Sequence, residues 1–237
     1  MDEWAKRKKR HNKIMFKTKN NKNHLQDLLT DRMMTAFDLA AAFRYLHSMN
    51  LVYRDIKPEN IGFDVRGDVK VFDFGLCKNL SPNLNAGAKD SFHLTGICGT
   101  HPYMAPEVAR QIPYGQGADV YSFAILFWEI LALEIPYEKL LNKRADYECQ
   151  VLLNGNRPPL PRSCPPLSRH IISECWAADP AKRPNFTRIA SVIRGDLSNL
   201  THDAKFINRS AYMMDRSKRS NHGLDSGSFG MNSSSRH

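Results

Sequence analysis

The sequence predicts a mainly α-helical fold that contains one short β-hairpin. Apolar residues recur at helical spacing between Leu28 and Asn50, and again in several segments after Pro106. Between these helical parts, two short apolar runs flank the turn-forming sequence D-V-R-G-D, which is the pattern of a hairpin. Strands are therefore expected in only a small part of a helical protein.

The composition indicates a soluble globular protein whose basic charge lies at its ends. The chain has 237 residues, of which 42% are hydrophobic, and a formal net charge of +10. Residues 1–24 and 198–237 carry this excess, whereas residues 25–197 contain equal numbers of basic and acidic side chains. Because the basicity belongs to the flanks, we do not expect the folded part to bind nucleic acid.

The cysteine pattern and the apolar runs indicate an intracellular protein without a membrane span. The five cysteines include no C-x-x-C pair and no disulfide framework. The apolar run of residues 120–136 is shorter than the roughly 20 residues that a spanning helix needs, and Glu129 and Glu134 interrupt it. We expect this run to form a buried helix, and the protein to be cytoplasmic, with a nuclear location as the alternative.

The elements are predicted in the following order along the chain. The first helix carries its apolar residues at Ala36, Leu39, Ala40, Phe43 and Leu46. The hairpin strands are Ile61–Phe63 and Val69–Phe72, and a long loop of residues 75–105 follows. Four helices complete the fold: Asp119–Leu133, Arg144–Leu153, Leu167–Trp176 and Phe186–Leu197. Three parts are predicted: a basic flexible segment (1–24), a folded domain (25–200) and a disordered tail (201–237).

Four sequence blocks carry the candidate chemistry. Y-R-D-I-K-P-E-N, residues 53–60, follows the first helix, and D-F-G, residues 73–75, follows the hairpin. G-T and M-A-P-E, residues 99–100 and 104–107, end the long loop. D-V-Y-S-F (119–123) and C-W…D-P…R-P (175–184) lie in the helical part.

Taken together and in this order, the blocks resemble the signatures of eukaryotic protein kinases. The resemblance covers residues 25–197, is closest to the tyrosine-kinase-like group, and takes the serine/threonine form because Lys57 lies two residues after Asp55. It implies the helical C-terminal lobe of the kinase fold. It also implies an enzyme that transfers the γ-phosphate of ATP to protein hydroxyls, with Mg²⁺ as the metal ion.

The resemblance assigns roles in the site to individual residues. Asp55 would be the catalytic base, and Lys57 would contact the γ-phosphate. Asn60 and Asp73 would bind Mg²⁺ with the ATP phosphates, because carboxylate and amide oxygens suit this hard cation. Gly75 is expected to permit the backbone turn that follows Asp73.

Further roles concern structure and regulation. Glu107 and Arg183 are expected to form an ion pair. Asp119 is predicted as a helix N-cap, and the resemblance adds a bond to the backbone of the loop that contains Asp55. Thr100 would shape the substrate groove.

Arg54 would pair with a phosphorylated residue in the activation loop, with Ser91 and Thr95 as candidates for an upstream kinase.

The sequence also departs from the family pattern. Tyr53 stands where histidine is usual and is expected to pack under Phe74, and Gly62 stands where a bulky residue usually lies beneath the adenine of ATP. The sequence contains no glycine-rich loop and no V-A-I-K-type lysine. We therefore expect an absent N-terminal lobe and an inactive chain, either as a fragment of a kinase or as a non-catalytic interaction module. Residues 6–10 match a nuclear-localisation or anionic-surface pattern, or form a solvated loop.

Overall fold

The computed structural model describes residues 21–87, 91–94 and 98–200, without the side chains of residues 21–24 and 84. Six α-helices are described: α1 (Asn21–Ser48), α2 (Pro106–Ala109), α3 (Gly117–Ala132), α4 (Arg144–Tyr147), α5 (Pro166–Cys175) and α6 (Phe186–Leu200). Four short strands are β1 (Leu51–Val52), β2 (Ile61–Phe63), β3 (Val69–Val71) and β4 (Lys78–Asn79). The fold is mainly helical, as predicted.

The helices enclose an apolar core in which α3 is central. Helix α1 packs against α6 and α3, and α5 packs against α3 and α6. Helix α3 is buried along nearly its whole length, which explains why its sequence is apolar all round. None of the described helices combines the length and the apolar character that a membrane span requires.

A series of aromatic rings leads from this core to the surface near the hairpin. The ring centroids of neighbours in the series lie 5.3 to 5.6 Å apart. The series runs Phe123, Phe186, Phe43, Tyr53, Phe74. The predicted packing of Tyr53 against Phe74 is confirmed, with the two rings edge to face at 5.5 Å.

The strands form two antiparallel pairs. β2 and β3 form the predicted hairpin, in which Ile61 lies opposite Val71 and Gly62 opposite Lys70. β1 pairs with β4 and thereby holds the start of the long loop against the chain before Tyr53. These two pairs place residues 53–60 and 73–75 in neighbouring turns.

Two helices differ from their predicted extent by more than three residues. Helix α1 begins at Asn21, before the apolar spacing starts at Leu28. Only Arg144–Tyr147 of the segment predicted as a helix to Leu153 is α-helical, and a π-helix, Glu148–Leu153, follows. The Asn154 N–H bonds to the carbonyl of Cys149, five residues earlier. Apolar spacing over one or two turns does not separate these two helix types.

Residues 1–20, which include the basic cluster 6–10, and the tail 201–237 lie outside the described residues. The predicted domain boundaries therefore stay predictions.

Candidate active site

The loop before Asp55 is held by a buried carboxylate from helix α3. Asp119 accepts backbone N–H bonds from Tyr53 (2.7 Å) and Arg54 (2.8 Å), and the ring of His47 lies 2.9 Å from the same carboxylate. The N-cap prediction for Asp119 is wrong, because α3 begins at Gly117 and the carboxylate is directed away from its own helix. The bonds also hold Arg54 at a φ of 73°, a strained value for a residue with a side chain.

Asp55, Lys57 and Thr100 form a closed triangle of polar contacts. The Lys57 Nζ lies 2.7 Å from Asp55 Oδ2 and donates to Thr100 Oγ1 at 3.0 Å, while Thr100 Oγ1 donates to Asp55 Oδ1 at 3.0 Å. Gly99 makes this approach possible, because its φ is 103° and an added Cβ would lie 3.0 Å from the carbonyl of Arg54. The triangle thus joins the end of the long loop to the loop that contains Asp55.

Asn60 is buried and oriented by Asp55. Its Nδ2 donates to the backbone carbonyl and to Oδ2 of Asp55, both at 2.9 Å. Because both bonds use the amide nitrogen, Oδ1 is the atom that suits a cation.

Asp73 follows the hairpin in a strained conformation. Its φ is 55°, and its Oδ1 accepts the N–H of Gly75 at 3.1 Å. The prediction for Gly75 is confirmed, because a Cβ there would meet the Asp73 carboxylate at 3.1 Å. The left-handed residue of the turn is Asp73. The backbone N–H of Phe72 bonds to the carbonyl of Asn60 at 2.8 Å, which brings Asp73 to the same end of the hairpin as Asn60.

The chemistry of these two side chains fits a hard divalent cation. Asn60 and Asp73 offer oxygen ligands, and Mg²⁺ takes only one or two protein ligands when phosphates and water supply the others. Among the described residues, no cluster of three or more His, Cys, Asp or Glu side chains could hold a metal without such help. The arrangement therefore suits a metal ion that arrives with a phosphate ligand.

Arg54 is buried beside the long loop. Its Nε donates to the carbonyl of Leu76 at 2.6 Å, and its Nη1 donates to the Tyr114 hydroxyl at 3.3 Å. Burial raises the pKa of Tyr114, so this hydroxyl remains neutral. The backbone of Tyr114 pairs with Phe92, the neighbour of Ser91. Ser91 thus directly precedes Phe92, the residue whose backbone pairs with Tyr114, and the hydroxyl of Tyr114 contacts Arg54.

Thr95, the other predicted phosphorylation site, lies outside the described residues.

The predicted pair of Glu107 and Arg183 is present and fully buried. Arg183 Nη1 and Nη2 contact the two carboxylate oxygens of Glu107 at 2.5 and 2.9 Å. Arg183 also donates to the carbonyls of Ala177 and Gly117, both at 2.9 Å. The Arg183 side chain therefore connects α2, which contains Glu107, to the start of α3 at Gly117.

Sequence reasoning assigned no role to Glu129, which lies near the Thr100 turn. Tyr103 donates from its hydroxyl to Glu129 Oε2 at 2.6 Å, and the backbone N–H of Tyr103 bonds to the carbonyl of Thr100 at 2.8 Å. Burial raises the pKa of Glu129 to about 7, and the charge of Glu59 adds to the shift. The position of Glu129 within an otherwise apolar helix is the sequence signal that could have identified this residue as a partly buried carboxylate.

Comparisons with known proteins agree on one family. A family model described as a protein kinase domain matches residues 7–192. The chain is 35% identical over 158 residues to the serine/threonine/tyrosine-protein kinase HT1 of Arabidopsis thaliana. It is 36% identical over 176 residues to the probable serine/threonine-protein kinase drkD, and 35% over 171 residues to the dual specificity protein kinase shkB, both of Dictyostelium discoideum.

These matches cover most of this chain and a small part of each relative. They include 67% of the chain with HT1, 73% with drkD and 71% with shkB. The matched regions make up 38%, 13% and 25% of the respective relatives. The chain therefore corresponds to less than half the length of each.

Proposed function

Because the chain belongs to the protein kinase family, we propose that it carries the catalytic residues of a serine/threonine kinase that transfers the γ-phosphate of ATP to protein hydroxyl groups. The observation that supports this proposal best is the triangle of Asp55, Lys57 and Thr100, with contacts of 2.7 to 3.0 Å. It places a carboxylate, a cation and a hydroxyl within contact distance of one another.

Each side chain then has a distinct task in the transfer. Asp55 accepts the proton of the attacking hydroxyl, and its contacts with Lys57, Thr100 and Asn60 orient the carboxylate. Lys57 offers positive charge to the transferred phosphoryl group, and Thr100 fixes the lysine. Asn60 and Asp73 would hold Mg²⁺, which, when bound, neutralises phosphate charge and holds the ATP phosphates in line.

The identity of the acceptor hydroxyl is part of the proposal. Lys57, two residues after Asp55, favours serine and threonine by family resemblance, and drkD carries a serine/threonine name. HT1 and shkB carry names that include tyrosine or dual specificity. We place this chain with the serine/threonine enzymes of the tyrosine-kinase-like group.

Transfer of labelled γ-phosphate from Mg·ATP to a peptide mixture containing Ser, Thr and Tyr tests this function. Two proteins are compared: the 237-residue chain, and a lobe-extended protein in which the ATP-binding lobe of HT1 precedes the same chain. We expect phosphoserine and phosphothreonine from the second protein and no transfer by the first. Phosphotyrosine alone would contradict the acceptor class, and transfer by neither protein would favour a non-catalytic interaction module.

Regulation through the long loop is a second part of the proposal. A phosphate on Ser91 would add charge-assisted hydrogen bonds near Arg54 and order the loop. We expect Ser91→Ala, alone or with Thr95→Ala, to lower the activity of the lobe-extended protein after treatment with an upstream kinase by about tenfold, which corresponds to the loss of about 1.4 kcal/mol of transition-state stabilisation. The exposed Ser191, changed to Ala, is the matched control. Full activity of the double variant would show that the loop needs no phosphate.

A further inference from the structure

The ring of Phe72 covers the position where Gly62 lacks a side chain. A Cβ built on Gly62 would lie 2.7 Å from Cε2 and 3.4 Å from Cζ of Phe72. In the hairpin register, Gly62 lies opposite Lys70, so Gly62 and Phe72 are diagonal neighbours on one face. The glycine therefore makes room for the ring, and the two residues form one surface.

The backbone of Phe72 is held on both sides by hydrogen bonds. The N–H of Phe72 bonds to the carbonyl of Asn60 at 2.8 Å, and the carbonyl of Phe72 accepts the hydroxyl of Tyr53. The ring of Tyr53 is itself buried in the aromatic series of the core. The point from which the Phe72 ring projects is therefore fixed, and we call this ring the platform.

The platform is exposed at the end of the hairpin that carries the candidate metal ligands. Phe72 is 52% exposed, although an aromatic ring gains most from burial. It directly precedes Asp73, and its N–H contacts Asn60. A ligand whose phosphates lie near Asn60 and Asp73 can thus extend a flat apolar group over the ring.

We propose that the Phe72 ring, seated on Gly62, is the stacking surface for the purine base of the bound nucleotide. This inference rests on the proposed function, since the nucleotide is its co-substrate. Stacking on an aromatic side chain is worth about 1–3 kcal/mol per base, which corresponds to roughly 5- to 150-fold in affinity. Adenine and guanine can both stack on this surface, because each presents the flat face of its own ring to Phe72.

Binding measurements on the full chain separate the base from the phosphates. Calorimetry with Mg·ATP and with magnesium tripolyphosphate is carried out on the wild type, Phe72→Ala and Phe72→Trp. We expect Phe72→Ala to weaken ATP binding by about tenfold, as loss of one stacked base implies, and to leave tripolyphosphate binding unchanged. Phe72→Trp should bind ATP at least as tightly as the wild type, because the indole keeps a flat stacking face.

Variants at Gly62 test whether the missing side chain makes room for the Phe72 ring. Gly62→Leu alone should lower the melting temperature, because its side chain meets Phe72, whereas Gly62→Leu with Phe72→Ala should regain part of the lost ATP affinity. Phe63, which is 46% exposed and lies on the other face of β2, is the matched control. Phe63→Ala should leave both affinities unchanged.

Three results would overturn the inference. Equal ATP affinity in the wild type and Phe72→Ala, or an equal loss for ATP and tripolyphosphate, would exclude a stacking role while leaving the proposed function intact. A wild-type chain that binds neither ligand would contradict nucleotide binding by this chain and with it the stacking role, whereas the transfer assay on the lobe-extended protein tests the proposed function separately.

Discussion

Replacing Asp55 by Asn is expected to lower the rate of phosphoryl transfer about 100- to 10,000-fold, the usual contribution of a general base. The amide keeps the shape of the carboxylate and an oxygen acceptor, but it does not take the proton of the attacking hydroxyl. Nucleotide binding should change little, because the proposed ligands of the metal and phosphates are Asn60 and Asp73. Transfer rates and calorimetric ATP affinities of the lobe-extended protein measure the two effects separately.

The control is Asp27→Asn, since Asp27 is an exposed aspartate on helix α1, far along the chain from the site. It should leave both the rate and the affinity unchanged. A rate within threefold of the wild type for Asp55→Asn would remove the general-base role. A loss of ATP affinity equal to the loss of rate would instead assign Asp55 to nucleotide binding.

Breaking the buried pair of Glu107 and Arg183 is expected to be the most destabilising charge change in the described part of the chain. Glu107→Gln leaves the guanidinium group of Arg183 buried without a counter-ion, and breaking such a pair costs about 3–5 kcal/mol. The double variant Glu107→Gln with Arg183→Met should lose less than the sum of the single changes, since no charge then remains unpaired. Urea unfolding of the four proteins gives the free energies.

The chain offers a matched control for this prediction. Arg144 and Glu148 form a contact of 2.8 Å on the surface, where both side chains face solvent. Because solvent screens such a pair, Arg144→Met should leave the free energy of unfolding unchanged within error. If Glu107→Gln were no more destabilising than Arg144→Met, burial would not be what gives the Glu107 pair its strength.

The fold could be predicted from the sequence where one periodicity dominates. The apolar spacing of α1 and the uniformly apolar α3 predict buried helices, and the short runs around D-V-R-G-D predict the observed hairpin. The π-helix of Glu148–Leu153 could not be predicted in this way. Its bonds over five residues add one residue to each turn, and a segment this short gives nearly the same apolar pattern for either helix.

Parts of the candidate site depended on contacts between distant segments. Sequence pattern indicated that Asp119 begins a helix, but its bonds to Tyr53 and Arg54 require the loop and α3 to meet. Glu129 likewise obtains its raised pKa from burial beside Tyr103. No local pattern carries this information, because desolvation depends on what the rest of the chain places around a side chain.

By itself the sequence determined the helical class, the hairpin and the set of candidate site residues, because periodicity and short motifs are local properties. Only the tertiary structure decided that Lys57 and Thr100 contact the same carboxylate of Asp55, that Asp73 takes the left-handed conformation, and that Phe72 covers Gly62. The contact between Thr100 and Asp55 joins residues 45 positions apart in sequence at 3.0 Å. Such distances are fixed by the summed packing of the core, which no single segment of the sequence contains.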